Sequence, residues 1–136
     1  MTACFGLSFD GNCEAAFELY ARTLNGKLVY LLRWGDSPMA KDAPPEWAGK
    51  IFHARLTIGG IDLTGADTLP DKYEAPRGFS ILIGIPDPDE VERAFHALAE
   101  GGTVTMPLQE TFWAKRFGAV TDRYGLPWTI NCEQAP

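Results

Sequence analysis

Hydrophobic positions along this chain alternate between the two-residue period of strands and the longer period of helices, and they do so in an order that occurs twice. From Cys4 to Phe9 the pattern predicts a strand, with Phe5, Leu7 and Phe9 on one face and Cys4, Gly6 and Ser8 on the other. Asp10-Gly11 breaks it, and Asn12 fits the N-cap of a helix because its side-chain oxygen can accept one of the orphan backbone N–H groups. Cys13, Ala16, Phe17, Tyr20 and Leu24 then recur at helical spacing, with Glu14, Glu18 and Arg22 off that stripe. Asn25-Gly26 ends the helix through a left-handed residue. Lys27 to Trp34 reads as a second strand. The stretch from Gly35 to Lys50, with Pro38, Pro44 and Pro45, is a loop of the length that is often mobile or functional. Ile51 to Ile58 and Ile61 to Ala66 form a hairpin closed by Gly59-Gly60, a pair suited to a tight primed turn.

After a linker from Asp67 to Arg77, containing Pro70 and Pro76, the order begins again. Phe79, Ile81, Ile83 and Ile85 share one face of a strand. Asp87 caps a helix with Pro88 at its first position and Glu90 placed for a capping box. Val91, Ala94, Phe95 and Leu98 make its apolar stripe, and Gly101-Gly102 stops it. A strand from Thr103 to Gln109 follows, then a closing hairpin: Lys115 to Asp122, a turn at Tyr124-Gly125, and a return strand with Trp128, Ile130 and Cys132 on one face and Thr129 and Asn131 on the other. Superposing Phe17 on Phe95 lays one half on the other with an offset of about 77 residues, the sign of a duplicated half-domain. Neither half could bury its apolar face alone. The expectation is an α+β fold in one domain spanning residues 1–136. Module one covers about 4–66, the linker about 67–77 and module two about 78–132, and together they make a curved sheet of eight strands with the helices on its convex side.

Composition narrows the function classes. The 136 residues are 46% hydrophobic and 22% charged, as in an ordinary soluble globular protein. A net charge of −6 argues against a nucleic-acid partner, which needs clustered Lys and Arg. Three cysteines, Cys4, Cys13 and Cys132, with no Cys-x-x-Cys spacing argue against a disulfide framework or zinc knuckle and favour a reducing, cytoplasmic setting. No basic segment precedes an apolar run at the N-terminus, and no apolar run approaches the roughly 20 residues that span a membrane.

The motifs Leu7-Ser8-Phe9, Gly11-Asn12 and Ala16-Phe17 to Tyr20, then Glu110-Thr111-Phe112-Trp113, Arg116-Phe117-Gly118, Asp122, Gly125 and Trp128, carry a resemblance. Through them the chain resembles the vicinal-oxygen-chelate superfamily, which has the fold of glyoxalase I, bleomycin-resistance proteins and extradiol dioxygenases. Within it the chain is most similar to the PhnB-type branch, often described as 3-demethylubiquinone methyltransferase-like. The resemblance runs from about Phe5 to Asn131. It implies paired βαβββ modules forming a cupped eight-stranded mixed sheet, a ligand or metal site in the cup, and a homodimer. In metal-dependent relatives a His, Glu or Gln at one position on the first and last strands of each module holds a divalent ion. Those positions fall here on Cys4, Thr64 (or Asp62, on the same face), Ser80 and Thr129. Neutral hydroxyls are poor ligands beside imidazole and carboxylate. The expectation is therefore no metal and no cofactor, and no glyoxalase, fosfomycin-modifying or ring-cleaving chemistry, since each depends on the ion as Lewis acid.

Several side chains are candidates for a ligand site. His53 and Arg55 lie two apart on the face opposite Phe52, Ala54, Leu56 and Ile58; they could orient an anion or act as acid–base groups, or be satisfied polar residues near a dimer interface. Trp113 and Phe117, with Trp34 and Tyr30 further off, could wall an apolar pocket, anchor a dimer contact or simply pack in the core. Glu110 is a candidate carboxylate for the cup or a turn-stabilising residue, and at most one of Lys115 and Arg116 can reach the interior. Cys4 at a vacated ligand position could be a nucleophile or a small buried thiol. His96, one residue off the helical stripe, reads as a surface side chain. The ligand-binding candidates are thus His53, Arg55, Thr64, Ser80, Glu110, Trp113, Phe117 and Thr129, for a small organic molecule. The rival is a divalent-metal lyase, isomerase or dioxygenase using Asp62, His53 and Glu110. A methyltransferase is disfavoured, because the first strand is not followed by the glycine-rich turn of a doubly wound S-adenosylmethionine domain.

Overall fold

The computed structural model describes residues 1–133, and the chain divides into two compact units, Met1–Glu74 and a second that begins at Ala75. The first contains β1 (Phe5–Phe9), α1 (Cys13–Thr23), β2 (Lys27–Arg33), β3 (Ile51–Ile58) and β4 (Ile61–Asp67). The second contains β5 (Ile81–Gly84), α2 (Pro88–Ala99), β6 (Thr103–Gln109), β7 (Ala114–Thr121) and β8 (Pro127–Glu133). Each is a βαβββ module with its own four-stranded mixed sheet. The strand orders are β1-β4-β3-β2 and β5-β8-β7-β6, and the first strand of each module lies parallel to its last.

In the first module α1 covers one face of the sheet. Cys13, Ala16, Phe17, Leu19 and Tyr20 on the helix are buried with Leu7, Phe9, Ala54, Leu56, Ile58 and Leu63 from the strands. The stripe expected for α1 is present, except that Leu24 is only half-buried and Leu19 joins the core. In the second module Val91, Ala94, Phe95 and Leu98 of α2 are buried with Val120, Trp128, Ile130 and Cys132. The helices come close enough that each sheet needs a residue without a side chain beneath a phenylalanine. A Cβ on Gly65 would lie 2.6 Å from Phe17 Cζ, and one on Gly118 would lie 2.7 Å from Phe95 Cε2. The β3–β4 turn has positive φ at both Gly59 and Gly60, the geometry of the primed turn that their sequence predicts. At the end of α1 it is Asn25, at φ 55°, that takes the left-handed conformation.

Three sequence-based expectations are corrected. Asn12 occupies the N-cap of α1, but its side chain makes no capping bond, and its buried Oδ1 has no partner. The cap comes instead from Asp67, at the far end of β4, which the sequence places in a linker. One carboxylate oxygen accepts from Cys13 N at 2.9 Å and the other from Ile51 N at 2.8 Å. A charged acceptor that is already fixed by the sheet displaces the weaker local amide. Glu90 does not complete a capping box on α2. Asp87 Oδ1 accepts from Asp89 N at 3.0 Å, while Glu90 pairs with Arg93. The strand expected from Phe79 begins only at Ile81, and Phe79 is exposed.

The segment between β2 and β3 contains three single-turn 3-10 helices, Trp34–Asp36, Ala40–Asp42 and Pro45–Trp47, and is tied to the rest of its module. Trp34 Nε1 donates to the carbonyl of Asp67, Lys50 Nζ to that of Gly11, and Arg33 Nη1 to that of Gly49. Arg33 also holds Glu14 through two hydrogen bonds of 3.0 and 2.7 Å, which keep the Glu14 carboxyl below its ordinary pKa.

Asp67 is therefore a junction between α1, β3, β4 and this segment. Burial raises its pKa above the ordinary 3.8, against the opposing pull of the bonds from Ile51 and Cys13 and of the Lys50 charge. A buried donor left unpaired costs about 1–3 kcal/mol, so Asp67→Ala, which orphans two, should lower the unfolding free energy by about 2–4 kcal/mol. Asn12→Ala should change it by less than about 1 kcal/mol, since no capping bond is lost. A raised folded-state pKa means that the native chain holds this proton more tightly than the unfolded chain. The stability contributed by Asp67 is then fully present below its unfolded pKa and declines as pH rises through the folded one. The Asp67→Ala penalty, measured by urea unfolding, should be larger at about pH 4 than at about pH 8.

Candidate functional site

Because each helix covers one face, each sheet presents its other face free of its own helix. Side chains that alternate with the buried ones define these open faces. In the first module the strand register aligns Gly6, Thr64, Arg55 and Tyr30 across the sheet, and beside them Asp62 and Thr57. Each carboxylate oxygen of Asp62 has one partner there. Its Oδ2 lies 3.2 Å from Arg55 Nη1, and its Oδ1 accepts from Thr57 Oγ1 at 2.9 Å. His53, on the same strand, packs its ring 5.6 Å from that of Tyr30. Thr64 Oγ1 donates to Phe5 O at 3.4 Å, and Cys4 is exposed as a free thiol. The first open face thus gathers His53, Arg55, Asp62 and Thr64 into a polar, partly ionised surface. Trp34 is not part of it: its ring meets Phe52 edge-on at 5.0 Å.

The second open face is different. Register places Leu82, Thr129, Ala119 and Met106 in one row and Gly84, Asn131, Phe117 and Gln109 in the next. Ser80 and Thr129 hydroxyls are hydrogen-bonded to each other at 2.8 Å. Phe112, Trp113 and Phe117 form a chain of edge-to-face contacts, with ring centroids 4.7 and 5.3 Å apart. Phe112 is 92% exposed. Glu110 is exposed just beyond the end of β6. Arg116 is drawn to the helix side by Glu92, whose Oε1 accepts from its Nε at 3.1 Å, so Lys115 is the cation left near the open face. His96 pairs with Glu92 on the outside of α2.

The return strand is fixed by Asp122, a buried carboxylate that accepts from Tyr124 N at 2.8 Å, Leu126 N at 3.1 Å and Trp128 Nε1 at 2.8 Å. That arrangement sets the register of Thr129 and Asn131. Asn131, which the sequence places only on the correct face, proves to be buried with its Oδ1 unpaired.

The positions that a chelating relative would use hold Cys4 and Thr64 in one module and Ser80 and Thr129 in the other. This donor set does not fit a divalent ion. Three of the four are neutral hydroxyls, and two of these are already bonded to each other. Asp62, the alternative to Thr64, is committed to Arg55 and Thr57. Among the described residues, no group of three or more His, Cys, Asp or Glu side chains within either module is arranged to hold a metal. The two buried cysteines are quiet: burial, aided by the charges of Asp67 and Glu14, pushes the Cys13 thiol far up, and Cys132 Sγ donates to Pro86 O at 3.3 Å. No helix among the described residues is long and apolar enough to cross a membrane.

Two βαβββ modules of this design define a protein of the glyoxalase and bleomycin-resistance fold. The domain titled glyoxylase/bleomycin resistance protein/dioxygenase from Frankia sp. EAN1pec shares it at 14% identity, with a TM-score of 0.63 over 98% of both chains. Residues 2–131 match the profile of the family described as 3-demethylubiquinone-9 3-methyltransferase, and the chain belongs to that family. Protein YjdN of Escherichia coli (strain K12) is 38% identical over an alignment of 135 residues, covering 92% of this chain and 90% of YjdN. The crystal structure of protein PA1353 from Pseudomonas aeruginosa is 44% identical, with a TM-score of 0.84 over 98% of this chain and 100% of that one. The family description names a methyl transfer. The usual S-adenosylmethionine domain, however, is a doubly wound parallel sheet, and both sheets here are mixed and built on hairpins.

Arg55 and Asp62 are both more than one-third exposed, and such pairs contribute about 0–1 kcal/mol. A double-mutant cycle on Arg55→Met and Asp62→Asn should therefore give a coupling below about 1 kcal/mol in urea unfolding. A larger coupling would make the pair a structural element rather than a surface available to a ligand.

Proposed function

We propose that this chain is a small-molecule-binding protein of the glyoxalase and bleomycin-resistance fold that works without a catalytic metal. The observation that carries this reading is the Ser80–Thr129 hydroxyl pair, 2.8 Å apart, at positions where a chelating relative would place His, Glu or Gln. Hydroxyls paired in this way can reorganise to bind a neutral organic molecule, whereas they have too little charge to strip a divalent ion of its water. The exposed aromatic side chains Phe112 and Trp113, with Phe117, supply the apolar contact area that small-molecule sites use. On the other open face, His53 and Arg55 offer donors to polar groups of a ligand. The protein acts as a homodimer in this reading, which is supported by the exposed apolar residues Leu28, Val29 and Tyr30 on edge strand β2 and Val104 and Met106 on edge strand β6.

The test pairs metal analysis with a thermal-shift screen of small organic molecules. Purified protein should contain well under about 0.1 equivalent of Zn, Ni, Fe or Mn, and at least one organic compound should raise the midpoint by about 3 °C or more at saturation. One tightly held equivalent of metal, lost in His53→Ala, would instead favour the metal-dependent enzyme. A screen with no stabilising compound would remove the binding reading.

A further inference from the structure

Asn131 is 8% exposed, and its Oδ1 has no hydrogen-bond partner. An acceptor buried in this way is destabilising unless something completes it. Its place in the fold says what could. Trp128, Ile130 and Cys132 on the same strand are buried against the helix side, so Asn131 belongs to the open face of the second sheet. Its neighbour on one side is Gly84, where even a Cβ would meet nothing within 4 Å. Its neighbour on the other side is Phe117, whose ring meets that of Trp113 at 5.3 Å. The two rows that cross this face, Leu82 to Met106 and Gly84 to Gln109, contain no charged side chain. Leu82 is 62% exposed.

We infer that Asn131, Phe117 and Trp113 form a subsite for a flat, uncharged, aromatic-type molecule carrying an O–H or N–H group, which donates to Asn131 Oδ1. Gly84 puts no side chain beside the amide that would block the molecule. The rings of Phe117 and Trp113 supply faces and edges for its apolar body. An ammonium ligand would find no counter-charge in these rows and would lose its hydration, whereas Lys115, two positions before Phe117, is the one cation near an anionic ligand, so the subsite discriminates against cations. This assignment rests on the small-molecule reading of the fold and adds the chemical class to it.

The probe pair is 2-naphthol and 2-methoxynaphthalene, which differ in the one donor. Each is titrated into the full-length 15N-labelled chain while the Asn131 side-chain amide and Trp113 indole signals are followed. 2-Naphthol should bind saturably, move both signals and bind about tenfold more tightly than the methyl ether, the effect of one completed buried hydrogen bond. Asn131→Leu should bring the ratio to about one, while Asn131→Asp, which keeps an acceptor, should retain the preference. Trp113→Ala should weaken both probes alike. Equal affinities in the unsubstituted protein, a preference that persists in Asn131→Leu, or failure of 2-naphthol to move either signal would overturn the subsite. If the thermal-shift screen has yielded other ligands, such a result removes only this subsite. If the screen is empty as well, the small-molecule reading falls with it.

Discussion

A single buried carboxylate decides whether the first module can lay its helix on its sheet. Asp67 accepts one backbone N–H from the start of α1 and another from the start of β3, while its own carbonyl takes the Trp34 indole. Without that carboxylate, the N–H groups of Cys13 and Ile51 would be stranded inside the module. The second module solves the same problem elsewhere. Its helix caps itself through Asp87, and the buried carboxylate is Asp122, spent on the β7–β8 turn and the Trp128 indole. Both arrangements hold strands in register so that one face can be dry under a helix and the other free.

The free faces diverge in chemistry although the modules share a topology. On the first, Arg55, Asp62, Thr57 and His53 make a surface with charge and donors. On the second, hydroxyls, an amide and aromatic rings predominate, with Lys115 the cation near them. After a duplication, the buried face is constrained by packing: Phe17 over Gly65 and Phe95 over Gly118 leave almost no freedom of size. The open face carries no such constraint and can be specialised. That asymmetry places function in the site rather than in the fold, and it separates the family's description from an activity.

Much of this architecture was legible in the residues. Alternation marked the strands, the Cys13–Tyr20 and Val91–Leu98 stripes marked the helices, and Asn25, Gly59-Gly60 and Gly125 marked turns, because these signals act over a few positions. What was hidden acts at long range. Asp67 caps a helix 54 positions earlier, so Asn12, the local candidate, looked like the cap and is not. Ser80 finds Thr129 across 49 positions. The unpaired oxygen of Asn131 could not be read from any spacing, since an orphan is defined by everything around it. The sequence did place Thr129 and Asn131 on the face of β8 opposite Trp128, Ile130 and Cys132, because Asp122 and Gly125 fix the register of that strand.

We propose that the positions which hold the ion in metal-dependent relatives are organic-ligand positions in this chain and not metal ligands. Addition of one equivalent of paramagnetic Mn(II) to the 15N-labelled protein, with amide line widths followed residue by residue, tests it most directly. If the account is right, the signals of Thr64, Ser80 and Thr129 keep their intensity, and broadening is confined to scattered surface carboxylates. Selective loss of those three signals at equimolar ion would contradict it.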